Sequence, residues 1–197
     1  MRVSLLAGCI LILGLGLMPV TAAAQLWGLR GGVNFNNLAT DEPTDWTLGY
    51  HFGFTATDIM DFYPRERLFL TAEMVYARMG AKIQPEALNL PADETLTMDY
   101  IQLPIMVRLY IDNAHRFYGF TGLSFNLLTG VHAGDENLWP LFNKYEFSLP
   151  IGAGVYLSER LDLSIKYHWG LTNVAKDELP SMRQSSFFLS LNYCFDN

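Results

Sequence analysis

Arg30, Glu73, Arg108, Glu146, Asp162, Lys166 and His168 are the side chains of this 197-residue sequence whose types and placement could do chemistry. All seven lie in segments that alternate apolar and polar residues, and all fall on the polar side of the alternation. Ser164 and His168 are the Ser/His pair on one such side, with Glu146 as a third member for nucleophilic catalysis. Four extended residues separate them by roughly 13 Å, too far for the direct hydrogen bond that a base needs. His115 and His132 fall in or beside different connections, so the four histidines form no metal-ligand spacing. Gly28 to Gly32 opens a strand, not a helix, and is no phosphate-binding loop. No catalytic, metal or cofactor site is expected. Three cations (Arg30, Arg108, Lys166) balance three anions (Glu73, Glu146, Asp162), and an unpaired buried charge costs several kcal/mol. The seven are therefore expected to form a structural network of ion pairs and hydrogen bonds.

The elements that must position them are strands, because the two-residue period dominates and no mature apolar run approaches the ~18–20 residues of a spanning helix. Eight are expected: Leu26–Asn36, Leu48–Asp58, Leu68–Arg78, Tyr100–Tyr110, Phe117–Thr129, Tyr145–Leu157, Leu161–Leu171 and Ser185–Phe195. Long connections alternate with short ones, so long loops collect at one end and tight turns at the other. This predicts an all-β fold, an eight-stranded antiparallel up-and-down transmembrane β-barrel.

Alternation does not say which face points inward, since a lipocalin-like soluble barrel has the same period with its apolar face inside. The polar face decides it. A soluble exterior is rich in Lys and Glu, whereas this face is mainly Gly, Ser, Thr and Asn. Leu103, Ile105, Ile151, Ile165 and Leu189 are therefore assigned to lipid, and the seven ionisable residues to the lumen. Trp27, Phe117, Tyr193 and Phe195 near the turn end, with Phe35, Tyr50, Tyr76, Tyr145 and Trp169 near the loop end, make two interfacial girdles.

Composition agrees with an envelope protein. The apolar fraction is 50% and the charged fraction 17%, below the roughly 25% of soluble domains. With 13 Lys+Arg against 20 Asp+Glu and no basic run, nucleic acid is excluded as a partner. Arg2, an apolar core from Val3 to Leu17, and Ala22-Ala23-Ala24 read as an export signal over residues 1–24, leaving a barrel domain over 25–197. Cys194 then has no mature partner for a disulfide. An even strand count places both termini on the periplasmic side. Acidic residues mark the long loops (Asp41, Glu42, Asp45; Glu86, Asp93, Glu94, Asp99; Asp135, Glu136), as a solvated surface or as divalent-ion sites bridging to glycans. Trp139, within Leu138 to Phe142, either docks a partner or folds over the barrel mouth.

Several motifs recur in order: GLRGGVN over Gly28–Asn34, Thr71 to Tyr76 followed by Gly80, Tyr100 to Ile105 before Arg108, Phe117 to Gly122, Gly152-Ala153-Gly154, and YHWGLTN over Tyr167–Asn173. In these the chain resembles the PorT-like outer-membrane β-barrel family of the Bacteroidota. The resemblance implies a small envelope barrel and offers a link to secretion of surface proteins, but carries no catalytic motif. The function expected is a non-enzymatic outer-membrane barrel with a structural, adhesion or secretion-accessory role, touching outer-membrane lipid and an envelope or secretion protein through its long loops. The alternatives are a periplasmic lipocalin-like carrier of an apolar ligand and an envelope lipid or ester hydrolase.

Overall fold

The computed structural model describes residues 26–39, 46–60, 67–82, 95–133, 136–176 and 181–195. The expected export signal, and the loop residues Asp41, Glu42, Asp45, Glu86, Asp93, Glu94 and Asp135, lie outside them. The strands are β1 (Leu26–Ala39), β2 (Thr47–Thr57), β3 (Leu68–Lys82), β4 (Thr95–Tyr110), β5 (Phe117–Ala133), the two-residue β6 (Glu136–Asn137), β7 (Tyr145–Tyr156), β8 (Leu161–Gly170) and β9 (Arg183–Cys194). A single turn of 3-10 helix covers Trp139–Leu141.

Eight of these are barrel staves. Each pairs antiparallel with its neighbour in sequence, β5 with β7 included, and β6 folds back on the end of β5. The wall closes through β1 and β9, whose register runs from Gly28 opposite Cys194 to Ala39 opposite Arg183. Closure removes both free edges, which a bilayer would otherwise leave without hydrogen-bond partners.

The bulky face is outside. Leu103, Ile151 and Ile165 are 40%, 50% and 54% exposed, whereas Glu73 and Lys166 are 6% and 3% exposed. Packing shows why the inward face favours small residues. Gly152 and Gly154 on β7 sit where a Cβ would collide with the Phe120 and Tyr118 rings of β5, so the missing side chains make room for aromatics inside a narrow tube. Gly154→Val should displace Tyr118 and lower stability by about 1–3 kcal/mol through overpacking. The midpoint of unfolding in detergent measures it.

The strands differ from the sequence expectation chiefly at the loop end, where β1, β3, β4 and β5 run three to five residues further. In these extensions the polarity of the faces is exchanged. Leu38, Met79, Leu96, Met98, Val131 and Ala133 point inward and are buried, while Arg78, Thr129 and His132 are exposed outside. A bulge helps. Asp99 pairs with Gly130 but Tyr100 with Leu128, leaving Thr129 as an extra residue whose hydroxyl donates to the Asp99 carbonyl at 2.9 Å. The extra residue shifts the inward parity of β5 from even to odd numbers. Apolar-outside alternation holds only where hydrocarbon surrounds the wall; above it the barrel takes the pattern of a water-soluble one. The expectation that residues 79–99 and 130–144 are wholly connection is corrected accordingly.

Candidate functional site

The lumen is filled at three levels. At mid-height, Arg30 on β1, Glu73 on β3 and Lys166 on β8 converge. Both nitrogens of the pair reach one carboxylate, Arg30 Nη1 on Oε1 and Lys166 Nζ on Oε2 at 2.7 Å. Arg30 Nη2 donates to Ser164 Oγ at 2.5 Å. All three charges are buried, and two cations share one anion.

Beside this triad, Phe188 of β9 lies between the rings of His51 and His168, each centroid 4.8 Å away. His51 Nε2 meets Ser190 Oγ at 2.8 Å. A chain of side chains crosses from β5 to β8: Ser124 Oγ donates to Asn126 Oδ1 (2.7 Å), Asn126 Nδ2 donates to Ser148 Oγ (3.0 Å), and Ser148 Oγ meets His168 Nδ1 (3.1 Å). The partner of His168 is thus Ser148 on the neighbouring strand, not Ser164, which belongs to Arg30. Register explains it, since Ser148 opposes Gly170 across the β7–β8 ladder and the His168 ring reaches it diagonally.

At the turn end, Arg108 lies 4.1 Å over the Tyr118 ring and its Nη1 donates to Tyr156 Oη at 2.9 Å. Tyr118 donates to Asp162 Oδ1 at 2.5 Å, and Asn192 Nδ2 donates to Asp162 Oδ2 at 2.8 Å. Arg108 and Asp162 are thus coupled through a tyrosine, not by direct contact. Met106, Tyr110, Tyr118 and Phe120 form the apolar body of this level.

At the loop end, Leu38, Met79, Leu96, Met98, Leu128, Val131, Phe142, Val174 and Phe188 form a continuous apolar cluster inside the wall. The segment 138–142 folds over the mouth: Phe142 is fully buried, Trp139 Nε1 donates to the Leu128 carbonyl at 3.4 Å, and Lys144 Nζ lies 4.4 Å over the Trp139 ring. Phe142 is bridged to Ala175, so the connection before β9 shares in the cover.

The expected seven-member network is therefore divided. Arg30, Glu73 and Lys166 form one unit, Arg108 and Asp162 a second, and His168 a hydrogen-bonded chain of its own. Glu146, buried just below the loop-end cluster, lies beside Tyr100 and has no cation on it among the described residues. Asp99, counted among the acidic loop residues, belongs to β4. It is held by Arg78 (Nε to Oδ1 2.8 Å, Nη2 to Oδ2 3.1 Å) and by the Tyr76 hydroxyl at 2.6 Å. No group of three or more His, Cys, Asp or Glu side chains that could hold a metal ion occurs among the described residues.

The family model described as outer membrane protein beta-barrel domain matches residues 23–176. This chain belongs to that family. Among solved structures, Neisserial surface protein A superposes with a TM-score of 0.59 at 12% identity, covering 86% of this chain and 97% of that one. Ail, the attachment invasion locus protein of Yersinia pestis, in complex with the heparin analogue sucrose octasulfate, superposes with a TM-score of 0.50 at 10% identity, covering 87% and 99%. At such identities the likeness is one of fold. No curated protein matches the sequence.

As a transmembrane outer-membrane barrel, the chain presents Leu103, Ile105, Ile151, Ile165 and Leu189 on its exposed wall. Trp27, Phe117, Tyr193 and Phe195 are exposed toward the turn end, and Phe35, Tyr50, Tyr145 and Trp169 toward the loop end, with Tyr76 half-buried among them. Trp46 joins the loop-end ring by packing on Phe187, centroids 5.6 Å apart. It lies in a connection and escaped a reading confined to strands.

Where the lumen opens at the turn end there is a crevice of about 470 Å³ lined by Asp58, Tyr110, His115, Arg116, Tyr156 and Glu159 among others. Asp58, just beyond β2, accepts from the Tyr110 hydroxyl at 3.1 Å. Burial pushes its carboxyl above the ordinary value, with Arg108 opposing. A raised acid contributes stability below its unfolded value and loses it as pH rises through the folded one, so charged Asp58 does not stabilise the fold at neutral pH.

Proposed function

We propose that this barrel is a non-enzymatic, non-conducting outer-membrane protein, with both terminal strands ending in the periplasm and a covered loop end displayed outside. The observation that carries this reading is the filling of the lumen at all three levels, from the Phe142 cover through the Arg30–Glu73–Lys166 triad to the Tyr118 cluster. Eight staves leave room for side chains but little for a channel. Reconstituted into planar bilayers, the barrel should give no steady ion conductance. A stable open level would overturn the reading.

The non-enzymatic part is supported by the enclosure of Ser148 and His168, both buried in the tube. The even stave count supports the placement of both ends in the periplasm. Within the family, the ordered motifs of the PorT-like barrels favour a secretion-accessory role, and the fold shared with an attachment protein favours adhesion. Both roles use the loop end, where Lys144, Lys176 and Arg183 are exposed. Crosslinking from position 144 in intact cells, with identification of the captured molecule, separates a surface glycan from a secretion protein. Crosslinks confined to lipid would leave the structural role alone.

A further inference from the structure

On the outer wall near the turn end, the bulky apolar exterior is interrupted by a pair of alanines. Ala56 of β2 stands opposite Ala72 of β3, and both fall on the outward side of their strands. Ala56 is only 8% exposed, whereas Phe52 and Phe54, the outward residues before it on β2, are 57% and 55% exposed. Its methyl is sunk because larger neighbours stand around it. Trp27 of β1 opposes Ala56 across the β1–β2 ladder, and one outward step toward the loop end Phe54 opposes Met74. Toward the turn end lies Ile59, just beyond β2, held by its N–H donating to the Leu70 carbonyl at 3.0 Å. The result is a notch of about 440 Å³ lined by Trp27, Phe54, Ala56, Ile59, Ala72 and Met74 among others.

The surroundings select what fills it. The wall is a transmembrane one, so the notch meets hydrocarbon and not water. Left empty, it would forfeit the dispersion contacts of its lining. A methylene group takes up about the volume of a water molecule, ~30 Å³, so 440 Å³ holds roughly 15 carbons, the scale of one phospholipid chain. A second barrel fits less well, since a two-fold contact centred here would set two notches face to face and double the void. On a flat stretch of wall a lipid chain is touched from one side. In the notch it is touched at once by the alanine floor, the Trp27 indole and the Phe54–Met74 ridge. We propose that the notch holds one acyl chain of a phospholipid from the turn-side leaflet as a long-lived ligand, distinct from the lipids that exchange freely around the barrel. The site needs only a lipid-facing wall, so it stands or falls apart from the conductance and the loop-end roles proposed above.

Two measurements test it. Native mass spectrometry of the full barrel, folded in palmitoyl-oleoyl phosphatidylcholine and washed in non-ionic detergent, should show one retained phospholipid per chain. Ala72→Leu fills the floor of the notch from the lipid side and should lose that phospholipid while the folded band on gels persists. Ala153→Leu, outward and exposed on β7, should keep it. The second measurement places the lipid. Trp27 and Trp169 are equally open, at 51% and 54% exposed, but only Trp27 borders the notch. Single-tryptophan variants are reconstituted with phosphatidylcholine brominated in the upper part of its chains, then moved into excess non-ionic detergent. Trp27 should stay quenched, whereas Trp169 should recover, and Ala72→Leu should let Trp27 recover too. The proposal is overturned if no phospholipid is retained, if Ala72→Leu keeps it or Ala153→Leu loses it, if Trp27 recovers as fast as Trp169, or if the retained mass is a second barrel.

Discussion

Glu73→Gln will lower the unfolding free energy by about 3–5 kcal/mol, the cost of breaking a buried charge cluster from its single anionic side. Arg30 and Lys166 both end on this carboxylate. With an amide there, two cations would stand together in the middle of the tube, and Asp162 is already engaged by Tyr118 and Asn192. The converse change should be milder. Lys166→Met leaves Arg30 paired with Glu73 and removes the surplus positive charge, so it should cost clearly less than Glu73→Gln. Denaturant unfolding in lipid vesicles, followed by the shift between folded and unfolded bands on gels, checks the order. Equal loss in both variants would contradict a triad organised around Glu73.

Ile151→Arg should cost about 2–4 kcal/mol if residue 151 faces the middle of the bilayer. Ile151 lies midway along β7, is half exposed and opposes Tyr167 and Thr121 on the two neighbouring strands. Depth supplies the control. Leu48, at the loop-end start of β2 and 67% exposed, lies near the interface, where the same charge costs only about 0–1 kcal/mol. Ser148, two positions from Pro150 on the inward face, tests the other side of the wall: a larger residue there should act by breaking the Asn126–Ser148–His168 chain. Equal tolerance of Arg at positions 48 and 151 would refute the assigned membrane depth.

The eight staves could be read from the sequence because a stave between hydrocarbon and a packed lumen must alternate, and Leu163, Ile165 and Tyr167 against Asp162, Ser164 and Lys166 show this directly. The mid-lumen charges were legible for the same reason. Partner choice was not, because it depends on register: Ser148 reaches His168 from the next strand, and Tyr118 stands between Arg108 and Asp162. The loop-end extensions were read as connection because the polarity of their faces is exchanged. Alternation itself persists through Arg78, Met79 and Gly80 and through Leu96, Thr97, Met98 and Asp99, so a continued period with opposite parity was the available signal. The crevice was hidden for a different reason: Asp58 and His115 are 57 residues apart in number, and nothing in composition marks a left-handed backbone at a non-glycine residue.

The seam between β1 and β9 has a consequence for how the molecule is made. The stave that completes the cylinder is the final one in the chain, and it bonds to the first. Until it arrives, every shorter nascent form exposes two unsatisfied strand edges, the template on which polypeptides coalesce into aggregates. Ring closure between such distant partners is also slow. Shortening the stave that closes the wall should therefore raise the share of aggregated chain over folded barrel on refolding into vesicles, measured by the folded and unfolded bands on gels.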